Sequence, residues 1–331
     1  MSDSQPNCST GILLINLGTP DSPSPRDVKH YLREFLWDPR VVEMPRALWW
    51  PILHGAILTV RPARSARAYQ KIWTDEGSPL LLYTLKQADA LQEKLGRDIC
   101  VVPAMRYGNP SIRQGLEQLR DRGCQRILVF PLYPQYSATT TASAFDAVVA
   151  ELKNWRLIPE LRLLNQYFDN PGYIQALADS VTNFQQEHGT PEKLILSYHG
   201  LPQRYADAGD PYPQQCEETS KALAAALHLS DEQWRHSYQS RMGREPWLQP
   251  ATSDTLRELA ASGCKHVQVI CPGFSSDCLE TLEEIALENR DVFLKAGGEH
   301  YEYIPCLNDT APHIEILADL ARRYLGGWTD E

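Results

Sequence analysis

LLINLGTP (Leu13–Pro20) and LILSYHGLP (Leu194–Pro202) are the two stretches that decide the fold. Each is a β-rich apolar run stopped by Gly and Pro, and neither shows the strict apolar–polar alternation of a sheet with one wet face. Such runs suit strands covered on both faces, as in a parallel sheet. Working outward, the same kind of run recurs at GILLINLG (Gly11–Gly18), ICVVPAMRYG (Ile99–Gly108), RILVFPLYP (Arg126–Pro134) and LRLLNQYF (Leu161–Phe168). It recurs again at KLILSYHG (Lys193–Gly200), WRHSYQSRMG (Trp234–Gly243), HVQVICPGF (His266–Phe274) and HYEYIPCLN (His300–Asn308). Longer helical stretches separate these runs, which suits right-handed crossovers. The predicted fold class is α/β, with two similar doubly wound, Rossmann-like lobes built on parallel sheets.

The halves echo each other. Leu116, Leu119, Gly123, Cys124, Ile127 and Val129 correspond at a constant offset to Leu256, Leu259, Gly263, Cys264, Val267 and Val269. A helix, a Gly stop and a strand are repeated. The expected organisation is a first lobe over 9–168, with a lip segment at about 30–62, and a second over 169–331 whose last helix, about 311–325, is free to pack on the first. Ligands of such sheets bind beyond the carboxyl ends of the strands, here in a cleft expected between the lobes.

At 331 residues the chain has room for two buried cores, and 43% hydrophobic against 22% charged residues is a globular balance that excludes disorder and fibrous classes. A net charge of −10 without a Lys/Arg stripe argues against nucleic acid as a partner. MSDSQPNCST lacks the basic and apolar regions of a signal peptide, so a cytoplasmic location is expected. The weakly charged run Ala47–Val60 is shorter than the roughly 20 residues of a spanning helix. Leu48, Trp49, Trp50, Ile52, Leu53, Ile57 and Leu58 crowd it between Arg46 and Arg61, either as a lip for membrane or greasy substrate or as a buried core helix. Eight cysteines occur without a CxxC pair, and all are expected as reduced thiols. GxGxxG after the first strand, GxxxxGK[ST], GxSxG and HExxH are all missing, so nucleotide binding, esterase chemistry and zinc proteolysis lose their usual support.

What remains is one histidine and a line of carboxylates. His199 closes a strand just before Gly200 and Pro202, where a ring can take a proton near neutral pH, bind a metal, or simply hold the turn. In SSDCLETLEEIALENRD, Glu280, Glu284 and Glu288 recur at four-residue spacing and share a helical face. Three stacked like charges invite a compensating cation. Equally, Asp277 followed by Glu280 fits a capping box, with the later glutamates solvated.

SYHGLP, GDPYPQQ, QSRMGREPWLQP, FSSDCLETLEE, YPQYSATTT and LLINLGTPDSP together, in order and across nearly the whole chain, resemble the ferrochelatases of the Gram-negative bacterial type. The resemblance implies a chelatase-like pair of lobes and an enzyme of the lyase class. It would insert Fe2+ into protoporphyrin IX with release of two protons, the terminal step of haem biosynthesis. Residue by residue it implies catalytic and metal roles for His199 and Glu280, and metal roles for Glu284 and Glu288, the acidic positions one and two turns on that lead ions or protons to the site. Leu17, Arg106, Tyr107, Tyr136, Trp247 and Phe274 would line or approach the porphyrin, Arg106 through a propionate. No cofactor is required beyond iron as substrate. Partners are the porphyrin, ferrous iron and, by the lip, peripheral contact with the inner membrane. Three departures bear on this: Cys278 stands where many relatives have His, Ala138 where cluster-containing relatives have Cys, and the Cys-rich tail of those relatives is missing, so an iron–sulfur cluster is not expected. A cobalt or nickel tetrapyrrole chelatase and a non-catalytic porphyrin or haem carrier are the alternative readings, since N/O ligands do not select iron.

Overall fold

Strand β1 (Thr10–Thr19) is buried along almost its whole length because it is an inner strand of a parallel sheet. It pairs on one side with β2 (Ile99–Gly108) and on the other with β3 (Arg126–Pro131), and β4 (Glu160–Leu163) completes the order β2-β1-β3-β4. A second sheet repeats the pattern with β5 (Lys193–His199), β6 (Trp234–Gln239), β7 (His266–Ile270) and β8 (His300–Tyr303) in the order β6-β5-β7-β8. The computed structural model describes residues 8–241, 243 and 245–328, so most of the polar amino-terminal stretch, the last three residues, and Met242 and Arg244 of QSRMGREP lie outside the described residues.

All eight predicted runs contain strands, and the differences fall at their carboxyl ends. The runs expected to reach Pro134, Phe168, Phe274 and Asn308 stop as strands at Pro131, Leu163, Ile270 and Tyr303. Pro131, Pro272 and Pro305 lie at or just beyond three of those stops, and a proline cannot donate to the ladder. The apolar signal continues past each stop because the loops are buried, as at Leu132, Leu164 and Ile304.

Each sheet has its own core. In the first, Leu13, Ile15, Val102, Leu116, Leu119, Ile127 and Val129 pack together; in the second, Ile195, Leu256, Leu259, Val267, Val269 and Ile285 do so. Burying each such side chain contributes roughly 1.5–3 kcal/mol before entropy is counted. The sequence echo is visible here. Gly123 and Gly263 both take positive φ, at 85° and 98°, and the following Cys124 and Cys264 each donate N–H to a leucine carbonyl, Leu119 and Leu259, at 3.0 Å. The loops after β2 and β6 also match: Asn109–Pro110 and Gln249–Pro250 are both cis, and Met105 and Tyr238 donate to the carbonyls of Pro110 and Pro250.

The chain divides into two compact units whose limits differ from a single break after residue 168. One runs to Leu132, takes in Ala138–Asn165 and resumes at Asp309; the other holds Tyr133–Ser137 and Gln166–Asn308. The helix Ala311–Leu325 belongs to the first unit because it packs along the helix Pro79–Leu95, where Arg322 reaches the carbonyl of Lys94 and Lys94 pairs with Glu315.

The expectation of eight thiols is corrected. Cys8 and Cys100 form a disulfide, with Cα atoms 6.0 Å apart, because β1 and β2 are neighbours and Gly11 registers with Cys100. The other six cysteines are free and buried. The apolar run at 46–60 is part buried and part exposed. It forms a helix over Arg46–Ile52, a π-helical turn over Leu53–Ile57 and the start of the helix Leu58–Ile72. Trp49, Leu53 and Leu58 point inward, Trp49 donating from Nε1 to the Leu36 carbonyl, while Leu48, Trp50, Ile52 and Val60 stand exposed. No helix among the described residues is long and apolar enough to cross a membrane.

Gly18 tests the frame. Its φ is +118°, and a Cβ there would lie 1.8 Å from the Tyr107 carbonyl oxygen, between two paired backbones that cannot separate independently. Gly18→Ala is expected to lower unfolding free energy by roughly 1–3 kcal/mol or more. An unchanged urea midpoint and slope would contradict this.

Candidate functional site

In the second unit, β5 delivers His199 at its carboxyl end, in register with Gln239 at the end of β6. The strands stay paired one residue further, with Gly200 N–H donating to the Gln239 carbonyl at 2.7 Å. Glycine is needed there, because a Cβ would sit 2.6 Å from that oxygen. The half-buried His199 ring then turns back on its own loop, its Nδ1 lying 2.7 Å from the Gly200 carbonyl oxygen. A carbonyl only accepts, so Nδ1 carries the proton, and Nε2 of the neutral ring keeps its lone pair for a proton or a metal. Burial lowers the His199 pKa, opposed by the charge of Glu280 and the Gly200 hydrogen bond. The ring is neutral at neutral pH.

Glu280 begins a ten-residue π-helical run, Glu280–Asn289. Such wide turns are mostly brief and often mark functional sites. Side chains hold this one open: Gln239 Nε2 donates to the Glu280 carbonyl at 2.8 Å, Asn289 Nδ2 to that of Glu284 at 2.9 Å, and Tyr301 Oη to that of Ile285 at 2.7 Å. The capping box expected of Asp277 does not form. The buried Asp277 carboxylate accepts instead from the hydroxyls of Thr281 and Tyr303 and from the amide of Asn308, anchoring the loop that leads into the run.

The three spaced glutamates remain electrostatic neighbours but differ in environment. Glu288 is exposed. Glu284 is half-buried and gripped by Ser240, whose N–H donates to Oε1 at 2.6 Å and whose hydroxyl donates to Oε2. Ser240 takes φ of +68° to aim both groups. Burial raises the Glu284 pKa to about 7; the Ser240 hydrogen bonds oppose the rise, and the charges of Glu280 and Glu288 add to it. Beside them, burial and the Glu280 carboxylate push the Cys278 thiol well above its ordinary range, so it is a neutral S–H rather than a thiolate ligand.

The structure thus brings His199, Glu280 and Glu284 together in one unit. Trp247 is there too: it is buried, it bridges to Pro202, and its ring edge would be 3.3 Å from a Cβ on Gly200. Its indole Nε1 is buried and meets no hydrogen-bond partner among the described residues. Tyr136, half-buried, is held through its backbone N–H by Gln215 at 2.7 Å, and Phe274 packs on the second core. Among the described residues, no group of three or more His, Cys, Asp and Glu is arranged to hold a metal ion. Gln239 and Ser240 open the segment QSRMGREPWLQP but received no role from the sequence, and the pairing of β5 with β6 places them beside His199.

In the first unit, Leu17 is half-buried near the carboxyl end of β1. Arg106 and Tyr107 are engaged by neighbours in the same unit. Arg106 pairs with the buried Asp38 carboxylate and donates from Nε to Ser143 Oγ at 2.7 Å, while its guanidinium lies over the Tyr107 ring. Tyr107 is completely buried and donates to Asp38 at 2.8 Å. Burial disfavours the Asp38 charge, but the Ser143 hydroxyl, Arg106, the Arg40 N–H and Tyr107 outweigh it and hold the carboxyl below its usual pKa. Freeing Arg106 for a propionate would break a buried ion pair, at a cost of about 3–5 kcal/mol.

The family model described as Ferrochelatase matches residues 9–325. A ferrochelatase of Methylococcus capsulatus is 56% identical over 316 residues, covering 96% of this chain and 97% of that protein. One of Teredinibacter turnerae is 55% identical over 327 residues, covering 98% and 89%. Among solved structures, SirB from Bacillus subtilis with Fe3+ matches with a TM-score of 0.56 at 11% identity, covering 96% of this chain and 95% of SirB. DR2241 from Deinococcus radiodurans, described as having structural similarity to chelatases, matches at 0.52 and 13%, covering 94% of this chain and 54% of that one. These two likenesses concern the fold.

Glu284 predicts a pH dependence of stability. The folded protein keeps its proton up to about pH 7, whereas an unfolded glutamate releases it near 4.3. Between those values the native state binds more protons, so stability falls as pH rises. Glu284→Gln cannot ionise and escapes that loss. Its stability relative to the parent is expected to increase from pH 5 to pH 8 in urea titrations; a difference that stays flat with pH would refute the assignment.

Proposed function

The chain belongs to the ferrochelatase family, and from that premise we propose how its residues perform the family's reaction. The protein is a ferrochelatase, a porphyrin metal chelatase of the lyase class that inserts Fe2+ into protoporphyrin IX to form protohaem. The cobalt or nickel chelatase and carrier readings give way to it. Two pyrrole N–H bonds break and two protons leave as the four ring nitrogens bind Fe2+, so charge balances and iron keeps its oxidation state. For that reason we read the chain as needing no redox or nucleotide cofactor. The alanine at position 138 supports reading it as lacking an iron–sulfur cluster.

The observation that carries the residue assignment is the neutral His199 ring, fixed by the Gly200 carbonyl and facing the charge of Glu280. Nε2 of His199 accepts a pyrrole proton, and Glu280 stabilises the imidazolium that results. Glu284 and Glu288 continue the acidic row from that pair towards solvent, Glu284 held ready by Ser240 to exchange a proton near neutral pH. Iron approaches along carboxylates, hard oxygen donors that bind a ferrous ion without trapping it. In the second unit, Tyr136, Trp247 and Phe274 contact the macrocycle. Bending the ring to expose its nitrogen lone pairs costs on the order of 1–5 kcal/mol, drawn from such remote contacts.

Peripheral membrane contact from the cytoplasmic side is part of this reading. It is supported by Leu48, Trp50, Ile52 and Val60, exposed beside Arg46 and Arg61, and by the apolar substrate.

Anaerobic absorbance spectroscopy with protoporphyrin IX and ferrous iron is the direct test, with cobalt and nickel run in parallel. His199→Ala should lose roughly 10²–10⁴-fold in turnover and keep its fold by circular dichroism. Retained activity in the folded variant would remove His199 from the mechanism. For the membrane contact, replacing Leu48, Trp50 and Val60 by serine should abolish sedimentation with phospholipid vesicles while turnover on detergent-dispersed porphyrin persists. Unchanged sedimentation would send the contact elsewhere.

A further inference from the structure

Gln239 is buried, uncharged and absent from the chemistry above, yet it bonds to Gly200 beside His199 and to the backbone of Glu280. Its backbone carbonyl fixes Gly200, the residue whose own carbonyl orients the His199 ring. Its side-chain Oε1 accepts from Ser197 Oγ at 2.8 Å and from Cys271 Sγ at 3.6 Å, and its Nε2 donates to the Glu280 carbonyl at 2.8 Å. The amide cannot be reversed without loss: a carbonyl oxygen would then face the Glu280 carbonyl, two acceptors with no proton between them. Ser197 is held in turn by Thr252, at 2.8 Å, which also meets Ser237 Oγ at 2.9 Å. A continuous network therefore runs from the helix beginning at Thr252, through the ends of β5 and β6, to the first carbonyl of the π-helical run.

We propose that Gln239 is a positioning residue of the metal-insertion reaction, fixing the distance between His199 and Glu280 by tying the backbone of the one to the backbone of the other. This rests on the assignment of His199 and Glu280 to the chemistry. Glu280 begins a helix segment whose turns are wider than α-helical ones, and a run of that kind has slack that a single buried amide removes. Ser240, the next residue, grips Glu284 one turn on, so the dipeptide fixes two successive turns of the acidic row against the histidine strand.

Gln239→Leu keeps much of the volume and loses both hydrogen-bonding roles. It is expected to lower kcat by about 10–100-fold, the scale of an approximately 1 Å misplacement, with KM for porphyrin little changed. The decisive readout is a double-mutant cycle. In a Glu280→Gln background the same substitution should cost almost nothing further in kcat, since the group it positions is already disabled. Additive losses, or a KM effect with kcat intact, would overturn the proposal. Gln239→Met serves as the second variant if Gln239→Leu does not fold, and failure of both to fold would make Gln239 a residue of the core and also overturn it. Full activity in Glu280→Gln alone would instead refute the underlying assignment, so the two failures are distinguishable.

Discussion

The pairing of β5 with β6 out to their last residues is the constraint on which the site depends. Parallel strands usually splay as their loops diverge. Here Gly200 keeps the backbones within hydrogen-bonding distance of one another for one more step, which only a residue without a Cβ allows. His199 is consequently held by sheet geometry rather than by a free loop, and Ser240 leaves the strand in a left-handed conformation that turns its N–H and hydroxyl onto Glu284. Histidine and acidic row are thereby referred to one rigid edge.

The first unit uses the same device for a different end. Gly18 lies one residue inside the carboxyl end of β1, where Gly200 lies one residue past that of β5, and it too presses against the carbonyl of the neighbouring strand, that of Tyr107. Beyond it, however, lies a closed cluster in which Asp38, Arg106, Tyr107 and Ser143 satisfy one another. A buried ion pair with its remaining valences filled is expensive to open, so this end of the first sheet is a fixed frame. The repeat supplied two equivalent strand ends, and at the second the His199 ring, its Nδ1 on the Gly200 carbonyl, carries its lone pair on Nε2.

Much of the fold was legible because apolar runs and Gly–Pro stops are local signals. The carboxyl ends of the strands were not, since buried loops stay apolar past the last ladder bond. His199 was legible as a candidate from its place at a strand end, and the glutamates from their spacing. The partners that give them meaning were not, because those partners are set by pairing: Asp38 lies 68 residues from Arg106, Ser240 lies 44 from Glu284, and Cys8 lies 92 from Cys100. Asp277 shows the opposite failure, a correct local pattern overridden when tertiary contacts from Tyr303 and Asn308 claimed the carboxylate. Nothing in the spacing of Glu280, Glu284 and Glu288 announced a π-helical run, because four-residue neighbours stay adjacent in either helix.

A metal-inserting enzyme works under a requirement opposite to that of a metalloprotein. A structural site gains by gathering three or four ligands and closing around the ion. An ion that must be handed to a porphyrin has to be stripped of water yet released, and every added protein ligand deepens the well it must leave. On the proposed assignment, a neutral imidazole faced by one carboxylate, with further carboxylates graded from a half-buried Glu284 to an exposed Glu288, would meet that requirement. The neutral Cys278 thiol fits the same logic. A thiolate at that position would hold a ferrous ion in competition with the porphyrin nitrogens, and burial beside Glu280 keeps it protonated.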